Sequence, residues 1–503
     1  MTERRHVRST RCTCIATVIL ATLVTFTGCG LFRSDDQGKS NGASADAPWR
    51  FPKITFQVGE RLPNFTLPRA DGSGPISFYS LLGQRNLVFI FASSSASSRA
   101  LVPGWHAVTK SLPDADELRH IGIVEEQHGE RAALFQQWQQ LEWPVLVDAL
   151  NLLDVRNVPS VIAIDEHGIV RLIDPTLDEV RENFLHVEYY NSGRDLSPRL
   201  PESPPDLVAL AARPAVTAAE ARALGDALTV WGDAGQRVFA VDAYRRALEL
   251  EQSASPTPGV AAGREAGAIY FRLGVALAAR HDSAASVAGD FRSAMQMWTR
   301  AIELDPENAI WRARLEQFGP RAQQPFPFYD WVPVATRAIR ARGEEPRPLS
   351  AAFTHAELAQ PTRASAAVET EEPDLRGRIV RDSHLVVEVD SAFAPARLER
   401  GGRARLHLDL RPSAPARVSW NDENCPVQVW LNPPAGCTLS ATLLIAPVAG
   451  TTRRVEADIA WPQELLELPP DAAITGYALY TVKRDDTDSS LYLRQDFSIA
   501  LPR

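Results

Sequence analysis

Thiols are the side chains most readily turned to nucleophilic, redox or metal chemistry, and this sequence places its five cysteines where little of that chemistry is open. Cys12 and Cys14 stand in an uncharged N-terminal stretch, Cys29 closes it, and Cys425 and Cys437 lie near the C-terminus. There is no Cys-x-x-Cys pair, and the spacings fit no metal site, so neither metal nor cofactor is expected. The ten histidines form no His-Glu-x-x-His pattern, and neither a Gly-x-Ser-x-Gly elbow nor a phosphate-binding glycine loop occurs. Hydroxyls are concentrated instead: Ser93, Ser94, Ser95, Ser97 and Ser98 follow the apolar run 87–91. A serine becomes a nucleophile only beside a base that is itself oriented. The nearest histidine, His106, lies two helical turns beyond Ser98, so the spacing predicts helix capping rather than hydrolysis. Glu125, Glu126 and His128 follow a second apolar run and could pass for a metal or proton-relay cluster; they read as a solvated loop.

The elements that must position these residues fall into several blocks. The chain has 503 residues, 45% hydrophobic and 23% charged, a globular composition long enough for three domains. Its net charge of −9 argues against a nucleic-acid partner. Arg4, Arg5, Arg8 and Arg11 precede an apolar stretch too short and too broken by threonine for a spanning helix. It ends Phe26-Thr27-Gly28-Cys29, which resembles the lipobox of bacterial lipoproteins, with Phe26 where Leu is usual. That resemblance implies a signal peptide over 1–28, lipidation of Cys29, and a periplasm-facing protein lipid-anchored to a membrane of the cell envelope. Loss of four arginines and one glutamate with 1–28 would take the net charge from −9 to −12. Residues 29–56 are expected as a flexible tether.

Between 57 and 190 the pattern is mixed α/β, with short continuous apolar runs that suit buried strands. Four motifs recur in order: Val58-Gly59-x-x-x-Pro63-x-Phe65, Leu87-Val88-Phe89-Ile90-Phe91-Ala92-Ser93, Asn157-Val158-Pro159-Ser160 and Ile164-Asp165-x-x-Gly168. Over about 130 residues they resemble redoxins of the AhpC/TSA and TlpA/ResA type, which implies a thioredoxin fold. In that family the strand ends in a Trp-Cys-x-x-Cys sequence; here Ser95 and Ser98 hold the two redox positions, and Ser97 the position of a related motif. Serine cannot form a disulfide or a sulfenic acid, so thiol exchange and peroxide reduction are both closed to this domain. What the resemblance leaves open is binding: Pro159 corresponds to the cis-proline opposite the active-site loop, with Arg99 beside it.

A Pro-rich linker is expected over 191–216, and 217–340 turns helical. Tyr270-x-x-Leu273-Gly274-x-x-Leu277, Ala294-x-x-x-Trp298-x-x-Ala301 and Asp305-Pro306 resemble tetratricopeptide repeats, echoed by Ala240, Tyr244 and Ala247. Phe326, Phe328, Tyr329 and Trp331 are expected either to fill the repeat groove or to dock a partner. After a linker over 341–382, residues 383–503 alternate with period two and predict an all-β, immunoglobulin-like sandwich. Cys425 and Cys437, the thiols left after processing, are expected to form one disulfide. The reading of the whole is a membrane-anchored envelope lipoprotein acting in binding or assembly of an envelope protein or peptide partner. The alternative, implied by family resemblance alone, is an envelope thiol-disulfide or peroxide-handling oxidoreductase.

Overall fold

Strand β3 (Arg85–Phe91) is buried at every position after Arg85, which is why its sequence is a continuous apolar run rather than an alternation. A hairpin of β1 (Thr66–Pro68) and β2 (Pro75–Ser77) precedes it, closed around Asp71-Gly72. Helix α1 (Ala96–Thr109), β4 (Leu118–Val124), α2 (Gly129–Gln139) and β5 (Val145–Val147) follow, then β6 (Ser160–Ile164) and β7 (Val170–Ile173). The sheet order is β5-β4-β3-β6-β7, with β3 parallel to β4, β4 parallel to β5, and β6 antiparallel to both β3 and β7. This is a thioredoxin-like fold, and its Val158–Pro159 peptide is cis.

The computed structural model describes residues 49–110, 118–190, 204–254, 260–320, 328–349, 353–354, 357, 371–421, 426–448, 450–464, 469, 471–487 and 489–502. The signal peptide, Cys29, Phe326 and Cys425 therefore lie outside the described residues. Cys437 carries a buried free thiol, and burial raises its pKa. No helix among the described residues is long and apolar enough to cross a membrane.

A one-turn helix α3 (Leu177–Val180) closes the first domain, and α4 (Leu207–Ala211) leads into a region where the described residues are helical or irregular. Helices α5 (Ala218–Trp231), α6 (Ala234–Arg237), α7 (Ala240–Ala254), α8 (Val260–His281), α9 (Asp290–Leu304) and α10 (Ala309–Glu316) follow in order. The α5–α7 and α8–α9 pairs pack by the same device. A Cβ on Gly225 would come within 2.7 Å of the Tyr244 ring, and one on Gly274 within 2.4 Å of Trp298. Each glycine admits a fully buried aromatic from the partner helix. The sequence reading missed the first of these, although Leu224-Gly225-x-x-Leu228 repeats Leu273-Gly274-x-x-Leu277.

Helix α11 (Val332–Ala341) does not return to these helices. With Tyr329 and Trp331 it packs on the first domain, where Trp331 stacks on Trp138 and meets Phe135 edge-on. Tyr329 and Trp331 thus fill neither the repeat groove nor a free surface. The segment expected as a linker over 341–382 is pinned at both ends. Arg347 N–H bonds the Gln137 side chain, and Arg494 grips Asp374 at 2.9 Å.

The C-terminal strands form two antiparallel sheets. One runs β12 (Thr438–Leu439), β14 (Arg453–Ala460), β9 (Arg403–Pro412), β8 (Val387–Ala394). In the other, β15 (Ala473–Arg484) pairs with β10 (Val418–Trp420), β11 (Gln428–Asn432) and β16 (Ser490–Ala500), and β11 pairs with β13 (Leu443–Ile445). Ala404, Leu406, Leu408 and Leu410 face the core between sheets, as the alternation predicts. The opposite face, Arg405, His407 and Asp409, is buried too, because α8, α9 and Phe318 cover it.

Candidate functional site

Since α1 begins where β3 ends, 92–98 lie over the end of the central strand. Ser95 is the N-cap: its carbonyl accepts the Arg99 N–H at 3.0 Å and its Oγ accepts the Ser98 N–H at 3.3 Å. Ser98 is fully buried and its Oγ accepts the Ala92 N–H at 3.3 Å. Both hydroxyls at the redox positions therefore satisfy backbone donors. His106 Nδ1 accepts the Trp143 indole N–H at 2.8 Å, so no Ser–His pair forms. Burial holds the His106 pKa below its usual value.

Glu125 and Glu126 correct the expectation of a solvated loop: both are buried. The sequence shows only that they follow a strand, not that later parts of the chain fold over them. Ser93 donates its hydroxyl proton to Glu126, whose other oxygen accepts from the Tyr329 hydroxyl at 2.7 Å. Burial raises the Tyr329 pKa, with Glu126 adding to it, so the phenol keeps its proton as a donor. The Arg131 guanidinium lies 4.5 Å from the centre of the Tyr329 ring and bonds Glu357 at 2.7 Å. Glu357 in turn caps with Thr354, accepting its N–H at 2.8 Å. Arg99, expected as a binding residue, donates to the carbonyls of Ser93 (2.8 Å) and Phe328 (3.2 Å) and lies 3.7 Å from Asp330. It tethers the 328–330 segment over the serines.

The other wall is α10. The Ala309 N–H bonds the Arg156 carbonyl at 2.9 Å, and the Arg156 side chain reaches Asp305 at 3.0 Å and Glu307 at 3.3 Å. Between this clasp, Val158 and the serine loop remains a cavity of about 290 Å³, lined also by Glu125, Arg314 and Phe328. Burial drives the Glu125 pKa well up, the charge of Asp148 adds to it, and Arg314 opposes both. His128 lies 3.4 Å from Asp282 of α8. Among the described residues no cluster of histidine, cysteine and carboxylates could hold a metal.

The chain matches no family profile and no curated protein. Solved structures resemble about a quarter of it. The thioredoxin domain of a thiol-disulfide oxidoreductase from Bacteroides vulgatus is 15% identical (26% of this chain, 96% of that one, TM-score 0.23). A thioredoxin-family thiol:disulfide interchange protein from Chlorobium tepidum is 24% identical (26% and 87%, TM-score 0.20). A thiol-disulfide oxidoreductase from Bacteroides fragilis is 15% identical (25% and 96%, TM-score 0.22). The fold assignment rests on strand order and on the placement of β3, α1 and Pro159 rather than on these scores.

Sequence reasoning found the serine loop and Pro159. It missed Arg131, Arg314 and Glu357, and named Tyr329 only as part of an aromatic cluster. Two signals were there to read: Thr354-x-x-Glu357 is a capping-box pattern, and Arg314 shares the apolar face of α10 with Ile310 and Trp311.

Proposed function

We propose that this chain is a membrane-anchored envelope lipoprotein whose thiol-less redoxin-like domain serves binding and assembly rather than electron transfer. The observation that carries this is the fate of the two redox positions. Ser95 and Ser98 have no thiol, no cysteine occurs between Cys29 and Cys425, and both hydroxyls hold backbone donors. The groove beside Pro159, where a redoxin would admit an extended substrate, is narrowed by α10 and the 328–330 segment of the same chain. A protein or peptide partner would then meet other surfaces, the paired helices and the sandwich among them. The helical pairs read as tetratricopeptide-like repeats, and oxidation of Cys437, a free thiol in the structure, with Cys425, outside the described residues, would close a loop of about a dozen residues and add roughly 2–4 kcal/mol.

Full-length protein in detergent is expected to reduce neither insulin disulfides nor peroxide faster than a C425S/C437S variant does. Catalysis above that variant would restore the oxidoreductase alternative. Cys29→Ala is expected to move the protein from the membrane to the soluble fraction of the host envelope.

A further inference from the structure

We propose that the cavity between the serine loop and α10 binds a small organic carboxylate, its charge on Arg314 and its apolar part against Val158, Ala309 and Ala313. Arg314 is only 4% exposed, yet among the described residues no carboxylate lies within 4.0 Å of it. Its hydrogen-bond partner is neutral: Nη1 donates to Gln127 Oε1 at 3.2 Å. Three other arginines at the seams differ. Arg131 has Glu357 at 2.7 Å, Arg272 has Asp226 at 2.7 Å, and Arg405 has Asp458 at 2.6 Å. A guanidinium taken out of water without a counter-charge is costly, and it lines a cavity with room for a ring-sized body. Glu125, the acid sharing that cavity, forms no ion pair with the guanidinium, and burial and Asp148 push its pKa up against the pull of Arg314. The Ser95 and Ser97 hydroxyls stand at the mouth as further donors. The clasp of Ala309 on Arg156 and the hold of Arg99 on Phe328 narrow the groove from two sides, which favours a small molecule over an extended peptide.

This goes beyond the non-catalytic reading and stands apart from it, since binding and redox turnover are measured separately. The test is calorimetric titration of the full chain in detergent with acetate, benzoate and 3-phenylpropionate, each beside its neutral amide, and with the free acid of acetyl-Ala-Ala-Phe. At least one small acid is expected to saturate below ~10 mM and to bind about tenfold or more tighter than its amide. Arg314→Gln is expected to erase that preference, and Ala313→Leu, which fills the cavity and keeps the charge, to weaken the acid by a similar factor. Three results would overturn the proposal: equal binding of acid and amide, no saturable binding by any small acid, or tightest binding by the peptide acid.

Discussion

Two seams hold the described chain together, and they treat buried charge differently. Where the helices meet the sandwich, opposite charges face each other across β9 and β14: Arg405 opposite Asp458 and Asp409 opposite Arg454, while Glu456, which faces the His407 ring, pairs with Arg405 at 3.3 Å. Arg454 reaches Asp409 at 2.6 Å. Burial alone would raise the Asp409 pKa, but Arg454 outweighs it and holds the carboxyl at about 2. Where the helices meet the thioredoxin-like domain, Arg131 and Glu357 are matched in the same way, but Arg314 is not. A seam whose charges are all matched is built to stay closed. One that leaves a cavity and an uncompensated cation has kept something available for a ligand.

The sharpest way to break this contrast is to remove each cation. Arg131→Met leaves Glu357 buried without its partner and is expected to cost about 3–5 kcal/mol in urea unfolding. Arg314→Met strands no carboxylate and is expected to change stability by less than ~1 kcal/mol. Equal costs at the two sites would erase the distinction.

The helices that carry both seams come next. A methyl at Gly225 or Gly274 must displace a fully buried ring, so each Gly→Ala change is expected to cost about 1–3 kcal/mol. Similar costs at the two positions would support treating α5–α7 and α8–α9 as copies of one unit. A negligible cost at Gly225 would confine the device to the second pair.

The helix–sandwich seam should also respond to acid. His281 contacts Arg411 at 3.0 Å and Arg454 at 2.8 Å, lies 3.5 Å from Asp409, and has its ring centre 5.2 Å from that of Phe291; Asp282 adjoins it. Burial, then Arg454, holds its pKa below the ordinary 6.5, and burial does the same to His407. Since the unfolded chain binds these protons more readily, the seam's contribution is full above pH 6.5 and is lost as pH falls toward the depressed values. Hydrogen exchange in β9 and β14 is expected to speed up on acidification. A His281→Gln, His407→Gln variant should flatten that profile; an unchanged profile would place the acid sensitivity elsewhere.

How much of this was legible follows from what each signal depends on. The run Leu87–Phe91, the Gly274/Trp298 pairing and the alternation of Leu406 and Leu408 are local, and local patterns give elements and faces. The burial of Glu125, Glu126 and Asp409 is not local. Each looks like a solvated charge until a distant segment covers it: Tyr329 and Glu357 return from more than 200 positions away, and α8 from more than 120. Arg312 and Arg314 stand two residues apart on α10, one exposed and one buried, and only the face shared with Ile310 separates them.

The smallest expected effect lies at the serines themselves, and it decides whether they are remnants or working parts. Ser95 Oγ accepts the Ser98 N–H at the first turn of α1, so Ser95→Ala opens a helix donor and is expected to cost about 1 kcal/mol. Ser97 is exposed, and among the described residues its hydroxyl hydrogen-bonds that of Ser95, so Ser97→Ala is expected to fall within ~0.5 kcal/mol of the parent. The two variants differ by one oxygen two positions apart, which makes thermal unfolding of the pair a clean comparison. If Ser95→Ala proves as silent as Ser97→Ala, the cap contributes nothing to the fold, and the serine at the redox position would have to be explained by what it offers to the cavity.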